Sequence, residues 1–167
     1  MELNGSRTIA ADRATVWNHL NDAETLQACI PGCQELTGTP EDGFEAVVKQ
    51  KVGPVKATFK GKVTLSDVVE GESYRISGEG SGGVAGFAKG GADVKLAEVD
   101  GGTELTYDVQ AQIGGKLAQL GSRLITGFAR KMADQFFERF QTVVEEGRPP
   151  EEVADAGPSA AAKDTSG

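Results

Sequence analysis

The spacing of apolar residues changes once along this chain, at Gly114-Gly115, and that change limits the folds open to it. From Gln34 to Ile113 the period is two. After Pro54, the residues Val55, Ala57, Phe59, Gly61, Val63 and Leu65 alternate with Lys56, Thr58, Lys60, Lys62, Thr64 and Ser66. Leu105, Tyr107, Val109, Ala111 and Ile113 alternate in the same way with Glu104, Thr106, Asp108, Gln110 and Gln112. Such alternation marks antiparallel strands with one buried and one solvated face. Pro40 to Gly43, Gly53-Pro54, Glu70 to Glu72, Gly80 to Gly86 and Asp100 to Gly102 supply turns short enough for a meander. Beyond the double glycine the period is helical. Leu117, Leu120, Leu124, Phe128, Met132, Phe136 and Phe140 form one apolar stripe that continues to about Glu146. A helix of about 30 residues reaches roughly 45 Å, long enough to cross a sheet. One apolar stripe must be buried against one apolar face, so a curved sheet wrapped round a terminal helix is expected.

The ends complete the plan. Met1 to Ile9 reads as a first strand. Asp12 stands as a helix cap before Val16, Trp17 and Leu20, and Asp22 opens a second short helix that Pro31-Gly32 stops. Gly147 and Pro149-Pro150 end the long helix. The fold class is therefore α+β, with seven strands and two short helices after the first of them. The domain covers residues 1–146, and residues 147–167 form an acidic, Ala-rich tail expected to be disordered.

Glycine makes up 23 of the 167 residues, roughly twice the usual share of about 7%. There is no three-residue repeat, which excludes collagen. Strand parity divides the glycines into two groups. With Phe59 and Tyr107 on the inner face, that face also receives Ala46, Ala57, Gly61 and Ala111. After Tyr74 and Ile76 it receives Gly78, Gly80 and Gly82. Sheet and helix layers pack about 10 Å apart, a gap that Gly and Ala cannot fill. Interiors are close-packed, so the under-filled face predicts a bound apolar ligand. The second group lies in Gly53-Pro54, Gly80 to Gly86 and Gly114-Gly115, which alternating strand direction gathers at one end. These loops, with Val84 and Phe87 beside them, are expected to form the mouth of the cavity. Read alone, the loop glycines need mean only bulges and tight turns.

Charge and reactive groups exclude other classes. Seventeen Lys and Arg against 25 Asp and Glu give a net charge of −8, which disfavours nucleic acid as a partner. The sequence has neither the features of a secretory signal nor a stretch of about 18 apolar residues, so a cytoplasmic location is expected. Cys29 and Cys33, across Ile30-Pro31-Gly32, make no disulfide framework and a poor redox or metal motif. His19 is the only histidine and reads as structural. Gly80 to Gly86 joins two strands rather than a strand and a helix, so it is no phosphate loop. No nucleophile–base pair is visible, and no catalytic or metal residue is assigned. Lys49, Lys51, Lys56, Lys60 and Lys62 share outward parity on neighbouring strands. They form either a solvated face or a weak, salt-sensitive dock for anionic lipid or an acidic partner.

Asp22 through Leu36, with Cys29-Ile30-Pro31-Gly32-Cys33 at its centre, resembles the helix-to-strand segment of the carbon monoxide dehydrogenase CoxG family. Gly80 to Leu96, and Ile113 to Ile125 continuing to Phe136-Phe137, resemble that family's Gly-rich segment and its last strand and long helix. The resemblance covers roughly residues 1–146. It implies the helix-grip fold of START-like and birch-allergen-like proteins, which hold hydrophobic ligands between sheet and helix. It also implies a non-catalytic accessory that links a CO dehydrogenase-type molybdenum hydroxylase to the cytoplasmic membrane. A respiratory quinone, menaquinone or ubiquinone, is the ligand it implies, with peripheral membrane contact.

On this basis the cavity wall is expected from Ala57, Phe59, Gly61, Gly78, Gly80, Val94 and Tyr107 on the sheet. Leu117, Leu120, Leu124 and Phe128 are expected to line it from the helix, and Phe87 at the mouth. Gln50 and Tyr107 are the polar groups expected to meet a quinone head. An assembly or maturation factor without a functional ligand is the alternative role. A cyclase- or hydrolase-like enzyme using the same pocket is the other, and the lack of an acid–base set disfavours it.

Overall fold

A computed structural model describes residues 1–147; the tail expected beyond Gly147 lies outside the described residues. Strand β1 (Glu2–Ile9) leads to helices α1 (Arg13–Leu20) and α2 (Ala23–Cys29). A meander follows: β2 (Cys33–Thr39), β3 (Gly43–Val52), β4 (Val55–Val69), β5 (Ser73–Ser81), β6 (Phe87–Val99) and β7 (Gly102–Gly114). Helix α3 (Ser122–Glu146) closes the chain. The seven antiparallel strands are ordered β1-β7-β6-β5-β4-β3-β2, so the first strand returns to pair with the last. This curved open sheet with a long terminal helix is the helix-grip arrangement that the change of period predicts.

Local chemistry accounts for the element ends. The Asp22 carboxylate accepts from the backbone N–H of Thr25 at 3.1 Å and so caps α2. At α1 the Asp12 carboxylate takes the Thr15 hydroxyl instead of a backbone donor, and this hydrogen bond holds its carboxyl below the usual carboxylate range. Gly147 ends α3 in the left-handed conformation, its N–H bonded to the Val143 carbonyl.

The terminal helix differs from expectation in its start. Gly115–Leu120 form 3-10 turns, and α3 begins only after Gly121. Gly121 has φ +95°, ψ 151°, outside the right-handed helical region, so the helix cannot run through it. Leu117 and Leu120 therefore precede the long helix instead of belonging to it. The buried side of α3 is centred on Ile125, Phe137 and Phe140, while Phe128, Met132 and Phe136 are half-buried.

The core is divided in two. One cluster joins Ile9, Val16, Trp17, Leu20 and Cys29 to Tyr74, Val94, Leu96 and Leu105 of the sheet and to Phe137 and Phe140 of α3. A smaller cluster at the other end is built on Val52, Leu117 and Ile125, with Phe59, Ile113, Leu120 and Phe128 packed against it. Arg7, on the inner face of β1 opposite Leu105, fastens α3 to the sheet edge. Its guanidinium meets Asp134 at 3.0 Å and Gln141 at 3.3 Å, and lies 5.9 Å from the centre of the Phe137 ring.

A small-residue floor between two core clusters

Strand β4 lies between β3 and β5, well inside the sheet, yet not one of its 15 residues is buried. Its inner positions are half-buried along most of its length and its outer ones exposed. An interior strand reaches that state only when the layer above it stands off.

Register explains what lies beneath the gap. Ala46 of β3 pairs with Gly61 of β4, Gly61 with Gly80 of β5, and Gly80 with Ala88 of β6. Two residues along, Val63 pairs with Gly78, Gly78 with Gly90, and Gly90 with Ala111. Residues opposite each other share a face. Two adjacent rows therefore cross the sheet with almost no side chain beyond Cβ, between the two core clusters.

The glycines in these rows do different things. A Cβ on Gly78 would come within 2.5 Å of Val63 Cγ1, so that glycine makes room for its neighbour. A Cβ on Gly80 would meet nothing nearer than the Lys60 carbonyl oxygen at 3.6 Å. Gly80 is not required by backbone packing or by a positive φ; its lack of a side chain leaves room above the sheet.

The residues expected to line the cavity fall into three groups. Ala57, Gly61, Gly78 and Gly80 lie together on the half-buried inner face. Val94 and Tyr107 border them on the side of the larger cluster. Val94 is buried, and Tyr107 stacks on Phe137 with ring centres 5.3 Å apart. Phe59, Leu117, Leu120 and Phe128 belong to the smaller cluster at the opposite border. The Phe59 ring covers Gly82, where a Cβ would approach it to 2.6 Å. Leu124 is 38% exposed, its methyls over the Gly53 turn.

Phe87 does not join this group. It pairs with Ser81 and Gly114 in the outward register, is 47% exposed, and lays its ring over the position of a Gly114 Cβ. The 3-10 turn Gly83–Ala85 sets where β6 begins, and a shift of one residue sends a strand side chain to the other face. The loop glycines do converge, but they pack on one another. Ala85, Gly86 and Leu117 are buried there, and Gly86 and Gly115 approach closely enough to exclude a Cβ on Gly115. The expected mouth is therefore filled by its own loops. Ala88 and Gly90 are members of the floor that parity reading of the earlier strands missed; the register of β6 against β5 identifies them.

Polar groups near the floor are few. The Gln50 amide Nε2 donates to the Pro31 carbonyl at 2.7 Å, while its Oε1 has no hydrogen-bond partner among the described residues. The Tyr107 hydroxyl likewise has none. Tyr74, edge-on to Trp17 at 5.3 Å, is buried and its phenol is pushed well above its ordinary range by desolvation. Burial also pushes the Cys29 thiol up to about 12, so at neutral pH it is a protonated packing group and a poor nucleophile. Cys33 is raised in the same direction by burial. The His19 Nδ1 lies 3.2 Å from the Thr25 hydroxyl, tying α1 to α2. Among the described residues no group of three or more His, Cys, Asp or Glu is placed to hold a metal ion. No helix among them is long and apolar enough to cross a membrane.

Known proteins resemble this chain in sequence and fold. A conserved protein of Geobacillus kaustophilus is 29% identical with a TM-score of 0.82, over 88% of this chain and 97% of its own. The Chromobacterium violaceum protein CV1439 shares the fold at 15% identity and a TM-score of 0.63, covering 86% of this chain and 96% of its own. A protein from Rhizobium leguminosarum does so at 16% identity and a TM-score of 0.62, over 87% and 95% of the two chains. No curated protein matches the sequence significantly. The family model for the carbon monoxide dehydrogenase G subunit (CoxG) matches residues 5–145. With the floor, the divided core and that match together, the chain belongs to the CoxG family of carbon monoxide dehydrogenase.

Proposed function

We propose that this protein is a non-catalytic carrier that holds a hydrophobic ligand between sheet and helix. It serves a CO dehydrogenase-type molybdenum hydroxylase and links that enzyme to the cytoplasmic membrane. The ligand class that fits best is an isoprenoid quinone. The observation that carries the reading is the unburied inner face of β4 above two rows of Gly and Ala. Apolar surface left partly in water inside a fold is a standing cost of about 25 cal/mol per Å² that a ligand removes. Binding by area asks for few polar contacts, in keeping with the two free acceptors, Gln50 Oε1 and the Tyr107 hydroxyl. Family membership supports the enzyme partner, and the unreactive Cys29 thiol favours binding over chemistry.

Native purification without detergent, solvent extraction and mass spectrometry test the ligand. Near-stoichiometric menaquinone or ubiquinone is the expected result. Protein that is empty as isolated and takes up no added quinone would overturn the carrier role and leave the family's enzyme partner to an assembly factor.

A further inference from the structure

We propose that the end of the molecule carrying the Gly53 turn, the Gly83–Ala85 turn and the start of α3 is the surface that docks on an anionic lipid bilayer. This deepens the reading above by naming the lipid-facing surface. It rests on that reading for the membrane but not for what the cavity holds.

Charge is segregated along this acidic chain. Residues 46–66, 80–92 and 109–133 contain no Asp or Glu, yet hold ten of the 17 Lys and Arg. Each stretch runs into or out of the same end, through the β3–β4 turn, the β5–β6 connection, or β7 and the start of α3. Lys51 and Lys56 stand directly opposite each other beside the Gly53 turn, a like-charge pairing that costs stability. Neither has an ion-pair partner among the described residues. Lys60 lies in the same outward row as Phe87.

Large apolar side chains protrude from this basic surround. Val84 is 86% exposed on a turn otherwise made of Gly and Ala, and Phe87 and Leu124 are also exposed. The opposite end exposes Val68, Val69 and Val99 as well, but there Asp67, Glu70, Glu72, Glu98 and Asp100 surround them. An anionic surface attracts the first end and repels the second. Basic side chains near a charged bilayer act additively, and a second, apolar signal is what makes such attachment stable.

The test uses the full chain and sedimented vesicles of neutral phosphatidylcholine, with or without 30% phosphatidylglycerol. Binding to the anionic vesicles only, weakened at least tenfold by 0.5 M salt, is expected. The double substitution Lys51→Glu/Lys56→Glu should lower it at least tenfold, and Val84→Ser/Phe87→Ser several-fold, with unchanged circular dichroism. In a Trp17→Phe background, Val84→Trp should shift its fluorescence to the blue on the same vesicles and be quenched by brominated acyl chains. No binding to anionic vesicles would overturn the proposal, as would binding indifferent to both double substitutions. Salt-sensitive self-association that buries Val84→Trp without lipid would overturn it too, in favour of contact with the acidic end of a second copy. Quinone extracted from the same variants reports on the cavity separately, so either reading can fail alone.

Discussion

Gly78 and Val63 face each other on β5 and β4, and the valine methyl occupies the space a Gly78 Cβ would need. Two residues further, Gly80 faces Gly61 with ordinary van der Waals clearance. The same residue type is thus a packing requirement at one position and an open volume at the next.

That difference predicts opposite outcomes. Gly78→Ala forces Val63 aside and should cost about 1–3 kcal/mol, the usual penalty of overpacking. Gly80→Leu should fold with little loss, because its side chain enters the unfilled space, and should abolish quinone uptake. Denaturant melts and ligand extraction on both variants check this. Full uptake by Gly80→Leu would show that the ligand does not sit on this floor.

Much of this arrangement is legible in the sequence. Alternation in β4 and β7 identifies the inner face, and the inward glycines follow by counting. Three features escape such counting for physical reasons. The Gly80 to Gly86 stretch does not say where β6 resumes, so the face of Phe87 and the placing of Ala88 and Gly90 depend on a turn only the fold fixes. Leu117 and Leu120 continue the helical spacing across Gly121, and only that residue's positive φ separates them from α3. Arg7 stands at an inward position of β1, where a charge hides the strand's apolar face until its partners on α3 are seen.

Arg7 is the clearest link between α3 and the sheet edge. Its ion pair with Asp134 is partly exposed, and such pairs contribute at most about 1 kcal/mol; its position over Phe137 adds a comparable amount. Arg7→Ala should therefore lower Tm by roughly 2–4 °C. Arg7→Met, which keeps the stem against Phe137, should recover part of it. An unchanged Tm in Arg7→Ala would mean that the apolar clusters alone hold the helix.

Tyr107 separates stability from binding. Its ring stacks on Phe137 while its hydroxyl has no partner among the described residues. Tyr107→Phe should leave the melting curve within about 0.5 kcal/mol of wild type. If the hydroxyl meets a quinone carbonyl, the same change should weaken binding of a short-chain ubiquinone several-fold, the worth of one hydrogen bond at about 1 kcal/mol. Equal affinity in fluorescence titration would remove Tyr107 from the head-group site.

Cys29 makes a prediction about alkaline stability. Desolvation raises its pKa from 9.0 to about 12 in the folded protein, so the native state keeps a proton that the unfolded chain gives up. Stability from this group is complete below pH 9 and is lost progressively between pH 9 and pH 12, because the unfolded state there binds fewer protons. Tyr74, raised by burial in the same sense, adds to the fall above pH 10. Thermal melts from pH 8 to 11 should show Tm falling more steeply in wild type than in Cys29→Ala. The variant starts lower because it loses buried volume, but its pH dependence lacks the thiol's share. Native protein at pH 8 should also leave Cys29 unlabelled by iodoacetamide until denaturant is added. Rapid alkylation in the folded state, read by peptide mass spectrometry, would show that the first core cluster opens far more readily than its buried contacts imply.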